Sequence, residues 1–182
     1  MSGGAEFGTL RVEIDPASQG RIGRLTLDQP AKLNPLGSAA LREIAQAAAW
    51  FDSTDASVVI VTGEGRAFSS GFDLREFADR DSATSNGRDS ADVGRRMAEA
   101  LDRMAALTIA AVRGYALGAG LQTALACDIR VFAHGTSVGL LEFKYGIIPD
   151  LGGTQRLPRI VGAGKAKEMI FTSARILSLI HI

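Results

Sequence analysis

Two places in the chain put a glycine-rich turn directly after a short apolar run. Residues 58–61 lead into G-E-G-R-A-F-S-S-G-F-D, and residues 109–112 lead into G-Y-A-L-G-A-G-L-Q. The first run belongs to S-V-V-I-V-T, a β-branched stretch that is typical of a strand buried on both faces of a sheet. Strands that alternate with helices across such turns predict an α/β chain with a largely parallel sheet.

The rest of the sequence supplies the other elements of this pattern. Residues 10–14 and 21–27 alternate in polarity and predict a β-hairpin. Ser38 is expected to cap a helix that ends near Phe51. Residues 79–92 have no apolar period and are interpreted as a mobile surface segment. Further predicted elements are a helix at 93–107, a strand at 108–112, a turn at 114–120, a helix at 121–126, a strand at 128–133 and a helix at 162–172.

Composition argues against several classes of function. The 182 residues fit one domain, and a formal net charge of zero argues against binding to nucleic acid or an anionic membrane. No apolar run approaches the ~18 residues of a membrane span, and the start of the chain does not resemble a signal peptide. The single cysteine, Cys127, is interpreted as a packing thiol and fits a reducing, cytoplasmic location. With His134 and His181 as the histidines, no metal site is predicted.

Two carboxylates, Glu142 and Asp150, lie in otherwise apolar sequence downstream of the second glycine turn. A helix that opens near Ala119 would offer unpaired N–H groups to a negative charge. Backbone N–H groups beside semi-buried acids suggest a site that stabilises an anion and moves protons. Turns that only pack a helix on a strand remain an alternative for the glycines.

Other glycine-rich and nucleophile motifs do not fit. No G-K-[ST] closes the second turn, and its glycines do not match G-x-G-x-x-G. A serine triad of Ser69 or Ser70 with His134 and Asp128 lacks the G-x-S-x-G elbow.

Three ordered segments resemble the crotonase family, the enoyl-CoA hydratase/isomerase superfamily. They read I-V-T-G-E-G-R-A-F-S-S-G-F-D-L, I-A-A-V-R-G-Y-A-L-G-A-G-L-Q-T-A-L-A-C-D-I-R and Y-G-I-I-P-D-L-G-G-T-Q-R-L-P-R-I-V-G, and A-K-L-N-P-L is similar to an early coenzyme A loop. The resemblance implies a crotonase-like ββα spiral domain over residues 1–178. Within it, residues 1–8 are small and polar and are expected to be flexible. It also leads us to expect that the family's C-terminal helical region is missing and that residues 179–182 are a non-family tail.

The resemblance implies an acyl-CoA site, with coenzyme A as part of the substrate and no separate cofactor. Its oxyanion hole would be the backbone N–H groups of Phe72 and Ala119, where Ala119 replaces the family's usual glycine. A solvated loop lysine at Lys32 and a helix N-cap at Asp73 remain alternatives to coenzyme A contacts. The positions similar to coenzyme A or substrate contacts are Lys32, Leu33, Ser70, Gly71, Asp73, Leu74 and Gly118. A homotrimer, or a dimer of trimers, is implied for a full-length protein.

The family's hydratases use two glutamates, whereas this chain keeps one as Glu142 and has Gln122 in place of the other. A glutamine can orient water but cannot carry a proton. We therefore expect an isomerase that shifts a 3-enoyl to a 2-enoyl double bond, with Glu142 as the base and Asp150 as an auxiliary acid. A helix N-cap is the alternative for Asp150, and an ion pair with Lys144 or Arg130 is the alternative for Glu142.

Three other activities stay open from the sequence. One is a 2-enoyl-CoA hydratase of fatty-acid β-oxidation, with Gln122 positioning the water. Another is an inactive fragment or a non-catalytic acyl-CoA binder. The third is thioester hydrolysis or dehalogenation, which has precedent in the family with an acid at the position of Asp150.

Overall fold

A computed structural model describes residues 7–78 and 87–178, in which strands and helices alternate as predicted. The strands are β1 (Leu10–Ile14), β2 (Ile22–Leu27), β3 (Pro35–Leu36), β4 (Val58–Gly63), β5 (Gly71–Phe72), β6 (Leu107–Val112), β7 (Tyr115–Leu117), β8 (Ile129–Phe132), β9 (Ser137–Gly139) and β10 (Ile176–Leu177). The helices are α1 (Ser38–Asp52), α2 (Leu74–Ala78), α3 (Gly87–Asp102), α4 (Ala119–Ala126), α5 (Gly153–Val161) and α6 (Ala163–Thr172). Short 3-10 turns lie at Pro16–Ser18, Pro30–Lys32 and Glu142–Tyr145.

The main sheet has the strand order β1-β2-β4-β6-β8. β1 and β2 form the predicted antiparallel hairpin at one edge, and the remaining neighbours pair in parallel. The β-branched run was expected to be buried on both faces. One face is, with Val59 and Val61 fully inaccessible to solvent, whereas Val58 and Ile60 on the other face are half-buried. The predicted α/β fold with a largely parallel sheet is therefore confirmed.

Two smaller sheets were not foreseen. Residues 114–120 are not simply a turn, because Tyr115–Leu117 forms β7, which pairs in parallel with β9. β10 extends this sheet on the other side of β9, and β3 pairs with β5 in a separate two-stranded sheet. A three-residue strand bounded by glycines is too short to show the alternation by which strands are recognised in a sequence.

Two predicted helix starts differ from the structure. Ser38 does not cap α1, because it is the first helical residue and Gly37 is the N-cap. Helix α3 begins at Gly87 and ends at Asp102, so residues 87–92 are helical and Leu107 starts β6. The first turns of this helix are polar and show no apolar period. Ion pairs of Arg95 with Asp92 and Glu99, three and four residues away, stabilise the helix there. The rest of the predicted mobile segment, residues 79–86, lies outside the described residues.

Both ends of the chain also lie partly outside the described residues. Of the predicted flexible residues 1–8, only the last two are described, and the Gly8 N–H donates to Glu43. The expected tail, residues 179–182, is not described. No helix in the described part of the chain is long and apolar enough to cross a membrane.

Cys127 is buried between α4 and β8, in agreement with its interpretation as a packing thiol. Burial raises the pKa of its thiol to about 12. The thiolate needed for nucleophilic or redox chemistry is therefore strongly disfavoured.

A buried asparagine holds the loop that precedes α1. The Asn34 side chain donates to the carbonyls of Glu64 and Ala67, both at 2.9 Å, and accepts from the Gln29 N–H at 2.8 Å. Asn34 itself has a φ of 53°, in the left-handed region that asparagine tolerates better than most residues. Its amide therefore joins this loop to the turn that follows β4.

We expect Asn34→Ala to lower the free energy of unfolding by about 2 kcal/mol, because three backbone groups lose their partner. Urea unfolding followed by circular dichroism measures this change. Gln46→Ala, which removes an exposed amide from α1, is the matched control and should stay within about 0.5 kcal/mol of the wild type. Equal effects of the two variants would contradict the role given to Asn34.

Candidate active site

The two glycine turns meet at a cavity of about 470 Å³ between β5, α2, the start of α4 and the 3-10 turn at Glu142. Of the residues predicted for the site, the cavity lining includes Lys32, Ser70, Gly71, Phe72, Asp73, Leu74, Gly118, Ala119 and Glu142. Leu33, Gln122 and Asp150 are not part of the lining. Most of the predicted site is thus brought together at one place.

Glycines allow the two turns to approach each other. Gly71 has a φ of 102°, and a Cβ there would lie 2.7 Å from the Leu117 carbonyl oxygen. Gly118 has a φ of 50°, and a Cβ there would lie 3.3 Å from Glu142 Oε1. The Gly118 N–H also donates to the Gly139 carbonyl at 2.8 Å, which fixes this turn against β9. Any larger residue at either position would strain the backbone and crowd the cavity.

Ala119 is the first residue of α4 and is buried. Its N–H belongs to the first turn of the helix, where no intrahelical carbonyl can accept it. A helical residue has negative φ, so alanine suits this position as well as the glycine of the family pattern. The backbone donor therefore survives the replacement.

Glu142 is buried, with 7% of its surface exposed, and its two oxygens differ. Oε1 accepts a hydrogen bond from Gln122 Nε2 at 2.7 Å. Oε2 has no hydrogen-bond partner among the described residues. The ion-pair alternative is not observed, since Arg130 donates instead to the carbonyls of Cys127 and Asp128.

Burial is the main reason why the pKa of Glu142 is raised, and the negative charge of Asp150 raises it further. The hydrogen bond from Gln122 acts in the opposite direction. A carboxylate with a raised pKa is a stronger base once it is ionised. Glu142 lines the cavity, and its Oε2, which has no partner among the described residues, is suited to accepting a proton.

Gln122 lies behind Glu142 and uses three of the four hydrogen-bonding positions of its amide. Its Oε1 accepts from the N–H groups of Leu151 at 2.9 Å and Gly153 at 3.0 Å. Two donors on one atom identify that atom as the oxygen, so the nitrogen must face Glu142. A Cβ on Gly153 would lie 2.8 Å from Gln122 Oε1, so the glycine makes room for this contact.

Asp150 is exposed beside the cavity. The N-cap alternative is not observed, because α5 starts at Gly153 with Gly152 as its N-cap and no side-chain capping bond. By contrast, Asp73 both lines the cavity and accepts from the Arg75 N–H at 3.0 Å at the start of α2. Asp73 therefore caps α2 and also lines the cavity.

Lys32 is exposed at the cavity mouth, at the end of its 3-10 turn. Leu33 has a supporting position, because its carbonyl accepts from the Ser70 N–H at 2.8 Å. Sequence reasoning missed several lining residues: Arg75, Leu141, Tyr145 and Ile147. Arg75 directly follows a matched motif and could have been included, whereas the others lie in a segment without any period.

The serine triad is not assembled. Ser69 is buried, and its Oγ donates to the Asn34 carbonyl at 2.7 Å and accepts from the Gly71 N–H at 3.1 Å. The Asp128 carboxylate accepts from Thr108. Within residues 7–78 and 87–178, no group of three or more His, Cys, Asp or Glu side chains could hold a metal ion.

Comparison with known proteins agrees with this geometry. A model of the enoyl-CoA hydratase/isomerase family matches residues 17–178. The chain belongs to this family. The resemblance seen in the motifs is therefore confirmed over nearly all of the described residues.

Relatives in this family include a probable enoyl-CoA hydratase of Mycobacterium tuberculosis, 37% identical over 91% of this chain and 62% of its own length. The 2,3-dehydroadipyl-CoA hydratase of Escherichia coli is 40% identical over 90% of this chain and 63% of its own length. A Thermobifida fusca structure, named for enoyl-CoA hydratase and solved in complex with acetoacetyl-CoA, is 32% identical. It has a TM-score of 0.82 and covers 94% of this chain and 69% of that one. The chain thus spans less than two thirds of the length of the two sequence relatives.

The raised pKa of Glu142 predicts that Glu142→Gln stabilises the protein. The folded-state pKa lies above the unfolded value, so an ionised Glu142 costs stability at neutral pH and no longer does so in acid, where it is protonated. We expect a gain of about 1 kcal/mol, or a few degrees in Tm, at pH 7 that disappears near pH 4. Thermal unfolding at both pH values measures it.

Glu13→Gln is the matched control, because Glu13 is exposed on β1 and pairs with Arg24 across the hairpin. This variant should change Tm little at either pH. A lower Tm for Glu142→Gln at pH 7 would show that the glutamate is stabilising, contrary to our account.

Proposed function

We propose that the protein binds an acyl-CoA thioester and shifts a double bond from the 3-enoyl to the 2-enoyl position. The observation that carries this proposal is the asymmetry of the Glu142–Gln122 pair. Gln122 uses both ends of its amide for fixed hydrogen bonds, whereas Glu142 keeps Oε2 without a partner among the described residues. The geometry thus favours a reaction that needs one proton carrier.

The proposed reaction begins with the thioester oxygen held by the backbone N–H groups of Phe72 and Ala119. Glu142 Oε2 removes a proton from C2 of a 3-enoyl group, and the electron pair moves into the thioester to form an enolate. Backbone donors aimed at that oxygen stabilise the charge, typically by about 3 kcal/mol for one donor. The same carboxylic acid then returns the proton to C4, which leaves a 2-enoyl product with no net change in atoms.

Positively charged side chains at the cavity mouth suit the coenzyme A part of the substrate. Lys32 and Arg75 line the mouth and can face the phosphates of coenzyme A, which enters as part of the substrate. Asp150 is proposed as an auxiliary acid, because it lies close enough to raise the pKa of Glu142. Trimeric assembly and a cytoplasmic location stay predictions.

Hydration of a 2-enoyl-CoA is the second candidate, and the names of the relatives favour it. The M. tuberculosis and E. coli relatives are both named as hydratases. Against it stands the chemistry of Gln122, which cannot give or take a proton at neutral pH. Three of the four hydrogen-bonding positions of this amide are already used, which leaves one N–H with which to orient a water.

The two candidates are separated by assaying each reaction on matched substrates, a 3-enoyl-CoA and a 2-enoyl-CoA of the same chain length. We expect the wild type to shift the double bond and to hydrate at least about 100-fold more slowly, because a missing general acid or base costs about 10²–10⁴ in rate. Gln122→Glu should raise hydration, and Glu142→Gln should remove both activities. Fast hydration by the wild type would contradict the isomerase assignment.

The same experiment tests the remaining alternatives. Release of free coenzyme A would indicate thioester hydrolysis. Binding of acyl-CoA that survives Glu142→Gln, without turnover in either form, would identify a non-catalytic binder. Glu43→Gln on α1 is the control variant, since its carboxylate binds the backbone of Gly8 and Thr9 away from the cavity.

The effect of the Asp150 charge on Glu142 can be tested through the pH dependence of kcat/KM. Because Glu142 must be ionised to act as a base, kcat/KM for the double-bond shift should fall as pH drops through the raised pKa of Glu142. Asp150→Asn removes a negative charge that raises this pKa, so the acid limb should move to lower pH. Asp55→Asn, at an exposed position after α1, is the control and should leave the profile unchanged. A limb that stays in place in Asp150→Asn would contradict the coupling.

A further inference from the structure

We propose that Glu76 is a positioning residue for the cavity wall formed by β5 and α2. This inference rests on the acyl-CoA function proposed above. The Glu76 carboxylate, on α2, accepts a hydrogen bond from the backbone N–H of Ser38 at 2.9 Å. Ser38 is the first residue of α1, which is 15 residues long. The contact therefore attaches a short helix at the cavity to the start of a long one.

The start of α1 needs such a partner. Its N-cap, Gly37, has no side chain with which to bond the first N–H groups, and the first turn contains no acidic residue. Unpaired N–H groups and the positive end of the helix dipole both favour a carboxylate there. Glu76 provides this carboxylate from a distant part of the sequence.

Gly37 makes room for the carboxylate. A Cβ at this position would collide with Glu76 Oε1, and its three nearest atoms would all belong to the Glu76 carboxyl group. The backbone of Gly37 has φ −81° and ψ 176°, a conformation open to any residue. The glycine is thus required for space and not for backbone freedom, so an alanine there displaces Glu76.

The wall that Glu76 attaches is a large part of the cavity. Residues 71–75 all line it, and β5 pairs with β3 at two positions, Pro35 with Gly71 and Leu36 with Phe72. Helix α2 has five residues, too few to be stable alone. Loss of the Glu76 contact should therefore lower the fraction of molecules with a formed wall, which weakens apparent ligand affinity by the same factor.

Calorimetric titration of acetoacetyl-CoA into the whole chain tests the inference. We expect Glu76→Ala to bind about five- to tenfold more weakly, in line with the usual cost of losing a helix cap. Glu76→Gln should stay within about twofold of the wild type, since its amide oxygen can still accept from Ser38. In turnover, Glu76→Ala should raise KM and leave kcat at saturation unchanged, because saturating substrate shifts the population to molecules with a formed wall.

A double-mutant cycle shows whether the effect runs through the contact itself. Gly37→Ala should weaken binding about as much as Glu76→Ala, because it displaces the carboxylate. The double variant should be no weaker than either single one, since the second change then has nothing left to disrupt. Additive losses would overturn the inference.

Glu43→Ala is the matched control. Glu43 also lies on α1 and its carboxylate also accepts from backbone N–H groups, those of Gly8 at 3.0 Å and Thr9 at 2.8 Å, but these residues do not line the cavity. It should lower Tm without changing affinity. Equal affinity of the wild type, Glu76→Ala and Gly37→Ala would reject the role of Glu76 and leave the proposed function standing. No binding by the wild type would overturn both.

Discussion

The side-chain amide of Gln122 is the contact on which the candidate active site depends. Its oxygen holds the backbone of Leu151 and Gly153, and its nitrogen holds the carboxylate of Glu142. The residue is 1% exposed, so water cannot replace a partner that moves away. A buried polar group without a partner costs about 1–3 kcal/mol, so each of these segments is kept at a fixed distance from α4.

Glycines, which have no side chain, are as important to the site as the polar residues. Gly118 lets the start of α4 lie against Glu142, and Gly153 lets Gln122 reach the backbone beside α5. Gly37 does the same for Glu76 at the start of α1. In each case, a polar group approaches a backbone closely enough that even one methyl group would interfere. The site therefore combines rigid donors with a carboxylate that keeps one oxygen uncommitted.

The sequence predicts which residues form the site better than it predicts the hydrogen bonds that hold them in place. Ordered motifs were enough to place Gly71, Phe72 and Ala119 around one cavity, because their order along the chain reflects successive parallel strands. The bonds of Gln122 could not be predicted, since they link residues about thirty positions apart whose approach depends on tertiary packing. The same is true of the N–H of Ser38, which has no acceptor within its own helix and which the structure pairs with Glu76.

The loop asparagine has a consequence for the protein's chemical ageing. Asparagine side chains deamidate when the backbone nitrogen of the following residue attacks the amide carbon, and a carboxyl group at Asn34 would repel the carbonyls of Glu64 and Ala67. Here the following residue is Pro35, whose nitrogen carries no hydrogen. The residue that joins the loop before α1 to the turn after β4 is thus protected by its own neighbour from the usual route of spontaneous damage.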